Sequence, residues 1–334
     1  MSFWNEKKVL VTGGTGFVGH NVVKLLKTKD CKEIFIHSSN DYDLTVETEI
    51  DRLFRATHPE IVIHLAGKVG GIGANKEAKG EFFYKNVMMG TLVLEYARRY
   101  NVMKTIALAA GCGYPKHLEG AHKESDFWSG LPDENSIGYS MAKKMLIIQS
   151  WTYREQYGFD STILLPANLY GPWDNFNLET CHVVPALIRK FVEAQINSDK
   201  QVIVWGSGTA SREFLYVDDT AKVIIDSVEK LNKSGPFNLG TGIETTIKKL
   251  AETIKEISGF KGEIVWDTSR PEGQSKKYYD MSLLKKELGY VPSTALEKGL
   301  KKTLDWYKKH RNEILKNEKL IQKRVNPVRK PLPF

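Results

Sequence analysis

Two side chains in residues 138–143 (GYSMAK) have the types and spacing for proton transfer. Tyr139 and Lys143 are about one helical turn apart, so in a helix both project from the same face. A phenol has a pKa of about 10, and a neighbouring ammonium favours its phenolate, which lets the phenol exchange protons nearer neutrality. Surface Tyr/Lys pairs with this spacing are common in helices. The segments upstream therefore decide whether this pair is catalytic or an ordinary surface pair.

A glycine loop lies far upstream of this pair. Gly13, Gly16 and Gly19 follow the apolar run 8–12 (KVLVT) and open a helical pattern. Glycine permits a tight turn and close approach of the backbone to a pyrophosphate, while a helix N-terminus adds N–H donors. This position predicts a dinucleotide site, in which Lys143 would also bond the nicotinamide ribose. The loop residues assigned to the site are Gly13, Thr15, Gly16, Phe17, Val18 and Gly19.

The choice between NAD and NADP stays open. After the second strand, NAD enzymes usually carry an acid for the ribose hydroxyls, and NADP enzymes a basic residue for the 2′-phosphate. Residues 37–40 (HSSN) offer neither, although Ser38, Ser39 and Asn40 could bond to either nucleotide. Asp43 is expected near the adenine, with a turn or helix-cap aspartate as the alternative. The third strand adds two further cofactor residues, Leu65 and Ala66.

Composition indicates an ordinary globular protein. The chain has 334 residues, 41% of them hydrophobic and 26% charged, enough for one large domain or two packed ones. No run is long enough for a membrane span, and the N-terminus has no signal-peptide pattern, so we expect a cytosolic protein. Its three cysteines, Cys31, Cys112 and Cys181, are too far apart to indicate disulfides or a metal site.

The net charge of +8 does not indicate a nucleic-acid partner, because of where it lies. Residues 301–334 hold 11 basic and 3 acidic residues, so the rest of the chain is neutral overall. We interpret this excess as a solvated helix face and a frayed end, with a subunit contact as the alternative.

Strands alternate with helices through the first half of the chain, which predicts a Rossmann-type, doubly wound parallel sheet. One of these helices is expected from about Phe82 to Tyr100. We assign residues 1–170 to this dinucleotide-binding domain, with returning segments near 214–240. A smaller α/β substrate domain is expected over 171–310, and its last helix is expected near Leu296–Lys309. Residues 311–334 are expected to form a basic tail.

Several long loop segments carry a resemblance to a known family. They are residues 64–75 (HLAGKVGGIGAN), 168–176 (NLYGPWDNF), 182–189 (HVVPALIR), 204–208 (VWGSG), 212–214 (REF) and 268–274 (TSRPEGQ). With them, the chain resembles the extended short-chain dehydrogenase/reductases that act on nucleotide sugars, most closely the GDP-L-fucose synthase family. The resemblance runs from the first strand to about Tyr307.

The resemblance implies two reactions on one sugar. That family epimerises a GDP-4-keto-6-deoxy-mannose at C3 and C5 and then reduces the C4 ketone with a hydride. It uses a cysteine and a histidine as acid and base, and Cys112 and His182 stand at the matching positions. Their ordinary pKa values, about 8.5 and 6.5, suit the acidified protons beside a ketone. Without the resemblance, Cys112 would be a core residue and His182 a helix start.

The GDP group implies cationic and aromatic contacts. By resemblance, Lys190 and Arg212 would face the pyrophosphate, the planar guanidinium suiting its oxygens. Trp205 would line the nucleotide pocket, with a buried structural tryptophan as the alternative. Arg270 and Lys276 are further candidates for contacts with the GDP group, and Asn168 would shape the sugar site. A homodimer through helices of the first domain is the family expectation, and no metal is predicted.

The sequence departs from the superfamily at one position. Members normally carry Ser or Thr four residues before the tyrosine that here is Tyr114, and its hydroxyl bonds the substrate oxygen beside the catalytic tyrosine. This chain has Ala110 there and Gly111 next. Loss of one such donor can cost about 10²–10³ in rate. Three hypotheses follow: an epimerase/reductase like GDP-L-fucose synthase, a single-step C4 oxidoreductase of a GDP-hexose or GDP-heptose, and a non-catalytic nucleotide-sugar-binding protein.

Overall fold

A computed structural model describes residues 2–269 and 276–324 of the chain. The strands of this part are β1 (Lys8–Thr12), β2 (Glu33–Ile36), β3 (Ile61–His64), β4 (Lys104–Leu108), β5 (Ala121–His122), β6 (Ser161–Pro166), β7 (Asn168–Tyr170), β8 (Gln201–Trp205), β9 (Ser211–Arg212), β10 (Phe214–Tyr216), β11 (Phe237–Leu239), β12 (Thr245–Thr246), β13 (Glu263–Asp267) and β14 (Lys276–Tyr279). Its α-helices are α1 (Phe17–Leu26), α2 (Glu47–Thr57), α3 (Ile72–Glu77), α4 (Lys79–Arg99), α5 (Ile137–Tyr157), α6 (Val183–Asn197), α7 (Val217–Lys230), α8 (Ile247–Ser258), α9 (Ser282–Leu288) and α10 (Leu296–Arg324).

A six-stranded parallel sheet forms the centre of the larger core, in the order β11-β6-β4-β3-β1-β2. Every residue of β3 and β4 is buried, as expected for parallel strands covered on both faces. Helix α4 packs against α5, and α1 against α7. The predicted doubly wound parallel sheet is therefore confirmed.

Three smaller sheets contain the strands of the second half of the chain other than β11, together with β5 from the first half. One has four short strands in the order β12-β9-β14-β5, and two have a strand pair each, β10-β7 and β13-β8. A second hydrophobic cluster includes Ile188 and Phe191 of α6 and Leu250 and Ile254 of α8, two helices that pack together. Because these strands have only two to five residues, contacts between distant segments fix their positions.

The last helix is longer than the sequence pattern indicated. It was expected near Leu296–Lys309 with a basic tail from 311, yet α10 continues to Arg324. Arg311 forms an ion pair with Glu193 of α6, and Glu318 pairs with Arg189 of the same helix. Residues 311–324 also contain neither Gly nor Pro, so the helix has both tertiary contacts and suitable residues to extend it. Among the helices described, none has the length and apolarity that a membrane crossing requires.

Candidate active site

Helix α5 brings the predicted proton-transfer pair to the carboxyl end of β4. The Lys143 ammonium lies 5.8 Å from the centroid of the Tyr139 ring and donates a hydrogen bond of 2.9 Å to the Leu108 carbonyl. Burial lowers the pKa of Lys143 to about 8 and raises the pKa of Tyr139 above its usual value. Near neutral pH, a protonated phenol therefore stands beside an ammonium, the state from which a phenol donates a proton.

Cys112 lies beside this pair, in a 3₁₀ turn over Gly111–Gly113 that directly follows β4. The Ser140 hydroxyl is 3.2 Å from the Cys112 sulfur and 3.1 Å from its carbonyl oxygen. Burial raises the pKa of the Cys112 thiol, while Lys277, the Ser140 hydroxyl and Lys143 oppose that rise. Three of the four predicted catalytic residues thus meet at one strand end.

His182 comes from a different element, as the residue that precedes α6. The loop before it packs on the loop after β3, where the Gly71 amide donates to the Thr180 carbonyl at 3.2 Å. Desolvation by the surrounding protein lowers the pKa of His182, which favours the neutral imidazole. Within residues 2–269 and 276–324, no hydrogen bond joins His182 to Cys112, Tyr139 or Lys143.

The glycine loop between β1 and α1 has a shape that only glycine permits at two positions. Gly13 has φ +73°, and a Cβ atom there would be 2.7 Å from the Ala66 amide nitrogen. A Cβ atom on Gly19 would overlap the Gly13 carbonyl oxygen. Gly16 precedes α1, whose N-terminus has no side-chain cap. Leu65 and Ala66 line the same turn, so this cradle fits the pyrophosphate of a dinucleotide.

The loop after β2 is held by its own hydrogen bonds. The Ser38 amide and hydroxyl donate to the Asp41 carboxylate at 2.9 and 2.7 Å, and the Asn40 amide donates to the Ser38 hydroxyl at 3.3 Å. Ser39 between them is exposed. Asp43 accepts hydrogen bonds from the Thr45 amide and hydroxyl. These are the contacts of a turn aspartate, the alternative to a position near the adenine.

Sequence reasoning found neither an acid nor a basic residue at this loop, and the structure places both there. Asp41 stands one residue beyond the segment considered. The Arg52 guanidinium, on α2, lies 4.1 Å from the Tyr42 ring centroid and donates to the Asp41 carbonyl. Nearby, the buried Nε2 atom of His37 has no hydrogen-bond partner, so a polar group of a bound nucleotide would satisfy it. No sequence signal pointed to Arg52 at this loop, because it lies on α2, 11 residues beyond Asp41, and only the fold brings its side chain back to the loop.

The predicted nucleotide residues of the second half lie around β8. The Lys190 ammonium is 5.3 Å from the Trp205 ring centroid and donates to the Ile203 carbonyl at 2.9 Å. Trp205 is 59% exposed, which excludes the alternative of a buried structural tryptophan. An exposed indole beside an ammonium is suited to a flat base that carries an anionic group.

Two cations face each other on neighbouring strands of the four-stranded sheet. Lys277 of β14 is paired in register with Arg212 of β9. Burial lowers the pKa of both groups, that of Lys277 to about 8. The sequence pointed to Lys276 instead, but Lys276 is exposed because successive strand residues face opposite sides. A doubly charged anion such as a pyrophosphate would relieve the repulsion between Arg212 and Lys277.

Glu213 anchors this region. Its carboxylate is buried and accepts bonds from the amides of Thr241, Gly242 and Tyr279. The side chain of Asn168, on β7, donates to the Glu213 carbonyl at 2.9 Å. Arg270, the remaining substrate candidate, lies outside the described residues. No His, Cys, Asp and Glu cluster suited to a metal occurs in the described part of the chain.

The parallel sheet, the glycine cradle and the Tyr139–Lys143 pair together define an NAD(P)-dependent oxidoreductase or epimerase. Residues 9–240 match the NAD dependent epimerase/dehydratase family. The chain is 38% identical over 308 residues to a putative GDP-L-fucose synthase 2 of Arabidopsis thaliana, covering 92% of this chain and 94% of the relative. It is 35% identical over 312 residues to the GDP-L-fucose synthase of Escherichia coli (strain K12), covering 91% and 97%.

Solved structures agree with this result. A GDP-L-fucose synthetase from Naegleria fowleri bound to NADP superposes with a TM-score of 0.86 at 30% identity, covering 93% of this chain and 97% of that one. A GDP-6-OMe-4-keto-L-xylo-heptose reductase from C. jejuni gives a TM-score of 0.86 at 29% identity, covering 91% and 98%. The chain belongs to the NAD dependent epimerase/dehydratase family.

Proposed function

We propose that the protein reduces the C4 ketone of a GDP-linked manno-type sugar and epimerises the neighbouring C3 and C5 carbons. The observation that carries this proposal is the meeting of Tyr139, Lys143 and Cys112 at the end of β4. A phenol-ammonium pair serves ketone reduction, and a thiol beside it serves proton transfer at the adjacent carbons. The GDP-L-fucose synthases among its relatives support the same pair of reactions.

In the reduction, Tyr139 donates its proton to the C4 oxygen. The developing tyrosinate is stabilised by the Lys143 ammonium, whose position is fixed by the Leu108 carbonyl. A bound nicotinamide dinucleotide supplies the hydride, and the cradle around Gly13 and Gly19 would hold its pyrophosphate. Either NAD or NADP is compatible with a loop that contains Asp41 and is contacted by Arg52 of α2.

In the epimerisation, one group must remove a proton beside the ketone and another must return one on the opposite face. The raised pKa of Cys112 favours a thiol that carries a proton, and the lowered pKa of His182 favours an imidazole that can accept one. His182 can therefore remove the proton beside the ketone, and Cys112 can return one on the opposite face. The proposal requires the sugar to lie between these two residues.

The nucleotide end of the substrate would lie along the second half of the chain. Arg212 and Lys277 would bind the pyrophosphate as a pair of cations. Trp205 would stack on the guanine, and Lys190 would bind beside it. Asn168 would border the sugar, because β7 begins directly after β6 at the same end of the large sheet.

A homodimer through α4 and α5 completes the proposal. These two helices pack together and leave Phe83, Tyr84, Met145 and Ile148 exposed. Exposed apolar side chains on neighbouring helices suit a symmetric contact between two copies. Sedimentation should give a dimer for the native chain and a monomer for Ile148→Glu; a native monomer would contradict the proposed dimer.

A cytosolic location stays a prediction.

The decisive experiment supplies a GDP-4-keto-6-deoxy-mannose and NADPH or NADH to the protein in D₂O. We expect cofactor oxidation together with deuterium at C3 and C5 of the product. Cofactor oxidation without deuterium would instead support a single-step C4 reductase, the second candidate, which the GDP-heptose reductase among the similar structures and Ala110 both favour. No oxidation with either this substrate or a GDP-4-keto-heptose would contradict both.

A further inference from the structure

The turn that carries Cys112 is held from two sides by elements far apart in the sequence. On one side is Ser140 of α5, next to the catalytic tyrosine. On the other side, Lys277 and Tyr279 of β14 reach Gly111, the residue before the cysteine. The two sides together fix both the backbone and the sulfur of a candidate acid/base group.

The α5 side acts directly on the sulfur. Ser140 is completely buried, and its hydroxyl oxygen lies 3.2 Å from the Cys112 sulfur. The Ser136 hydroxyl, one helical turn earlier, is also 3.2 Å from the Ser140 oxygen. Because Ser136 can donate to Ser140, the Ser140 proton can point at Cys112, where the sulfur and the carbonyl oxygen at 3.1 Å are its two acceptors. A hydroxyl that donates to sulfur favours the thiolate over the thiol.

The β14 side acts on the backbone before the cysteine. Lys277 and Tyr279 are two residues apart, so their side chains lie on the same face of the strand. The Lys277 ammonium donates to the Gly111 carbonyl at 2.7 Å. The Tyr279 hydroxyl occupies the space that a Cβ atom on Gly111 would need, and lies 3.3 Å from the Pro166 carbonyl. Gly111 and Tyr279 are therefore a matched pair, in which the phenol requires the glycine.

Charged and titratable groups face Cys112 from both elements. Tyr139 and Lys143 do so from α5, and Lys277 and Tyr279 from β14. Burial raises the pKa of the thiol, and the two ammonium groups and the Ser140 hydroxyl act in the opposite direction. The cations are thus placed where a negative charge on sulfur would develop.

We propose that Ser140 and Lys277 are positioning residues that prepare the Cys112 sulfur for proton transfer at the carbons beside the ketone, with Tyr279 fixing the turn through Gly111. This inference rests on the proposed epimerase function. In the step concerned, the Cys112 thiol gives its proton to the enolate carbon: a C–H bond forms as the S–H bond breaks, the enolate electron pair makes that bond and the ketone is restored, and the negative charge is left on sulfur. In the opposite direction the thiolate takes the proton back from the carbon.

The first test measures the thiol itself, without substrate. The rate of Cys112 alkylation by iodoacetamide is followed from pH 6 to 10 by mass spectrometry of the peptide that contains Cys112. Ser140→Ala and Lys277→Met should each raise the apparent pKa and slow alkylation at pH 7 about 3- to 10-fold. Lys276→Met, on the same strand but exposed, is the matched control and should leave the rate unchanged. Lys277→Arg should retain most of the native rate.

An unchanged thiol pKa in both Ser140→Ala and Lys277→Met would overturn the proposal, even if the native protein exchanges deuterium into the sugar. Conversely, if the native protein shows neither exchange nor reduction while the thiol pKa shifts as expected, the proposed function fails and the positioning of Cys112 stands. Ser140→Ala keeps the backbone and removes one buried oxygen, so thermal unfolding should confirm that it folds.

The second test addresses the matched pair. Gly111→Ala should lower the melting temperature and slow deuterium exchange at C3 and C5, because its methyl group overlaps the Tyr279 hydroxyl. Adding Tyr279→Leu should recover part of the melting temperature, since the overlapping atoms are gone. If Gly111→Ala alone is tolerated without loss of melting temperature, the role given to Tyr279 is wrong.

Discussion

The six-stranded sheet and the four-stranded sheet both position side chains of the candidate site, but they do so through different interactions. The first is built from β1, β2, β3, β4, β6 and β11, mostly buried apolar strands that pair in parallel. The second is built from β5, β9, β12 and β14, which have only two to four residues each and pair in both parallel and antiparallel fashion. Hydrophobic burial therefore positions the residues proposed to bind the dinucleotide, while individual polar contacts position many of the residues proposed to bind the substrate.

Glu213 illustrates the second strategy. Its single buried carboxylate ties the loop at Thr241 and Gly242 to Tyr279 of β14. In the large sheet, β3 and β4 are buried along their entire length, and a comparable polar side chain lies on the edge strand β11, where Asn238 donates to the carbonyls of His122 and Asp280. A change in the apolar interior of the first region should thus have a local, steric effect, and the loss of Glu213 should affect several segments through shared hydrogen bonds.

The largest effect is expected at the centre shared by both regions. Tyr139→Phe removes the proton donor for the C4 oxygen and should lower the reduction rate by about 10²–10⁴. Tyr157→Phe, on the same helix with its ring 48% exposed, is the matched control. Stopped-flow oxidation of the reduced cofactor measures both variants. Equal rates in native protein and Tyr139→Phe would remove Tyr139 from the mechanism.

A steric change in the large sheet should be the next largest. Gly19→Ala places a methyl group against the Gly13 carbonyl and should destabilise the fold by about 1–3 kcal/mol while weakening dinucleotide binding. Gly80→Ala, in α4 with open space around it, should be neutral or slightly stabilising. Thermal unfolding and cofactor fluorescence titration measure both. Normal cofactor binding by Gly19→Ala would mean that the loop can relax.

The small sheet is tested by Glu213→Gln. The amide accepts weaker bonds from the three amides and brings donors of its own, so we expect a loss of about 1–3 kcal/mol in unfolding free energy. Substrate KM should rise while dinucleotide affinity stays near the native value. Glu263→Gln, exposed on β13, is the control. If dinucleotide affinity falls as far as substrate affinity, the two regions are not independent.

The smallest effect near neutral pH is a pH dependence, which grows as the solution becomes alkaline. The pKa of Lys143 is lowered to about 8, so its ammonium is present below pH 8 and is lost as the pH rises above it. Reduction should therefore slow toward tenfold per pH unit above about 8, because the tyrosinate loses its stabilising charge. The Lys143→Met variant should reduce the ketone more slowly than the native protein, and its rate should not fall in this way above pH 8. A native rate that rises steadily from pH 8 to 10 would contradict the assignment.

Much of the large sheet was predictable, since each element has a local signal. The run 8–12 and the glycines that follow it gave the first strand and turn. The boundaries were less accurate: α4 begins at Lys79 rather than near Phe82, because its first three residues are polar or Gly and carry no apolar pattern. The strand β14 was not predicted, because residues 276–279 (KKYY) show no alternation of polar and apolar types.

The sequence by itself determined the class of fold, the glycine cradle, the Tyr139–Lys143 pair and the loss of a hydroxyl at Ala110. These follow from residue types within one turn or one strand of each other. Only the tertiary structure decided that Lys277, rather than Lys276, faces inward, that Arg52 reaches the loop after β2, and that Tyr279 fills the space beside Gly111. Each of these joins segments distant in sequence, and such contacts depend on packing that no local pattern encodes.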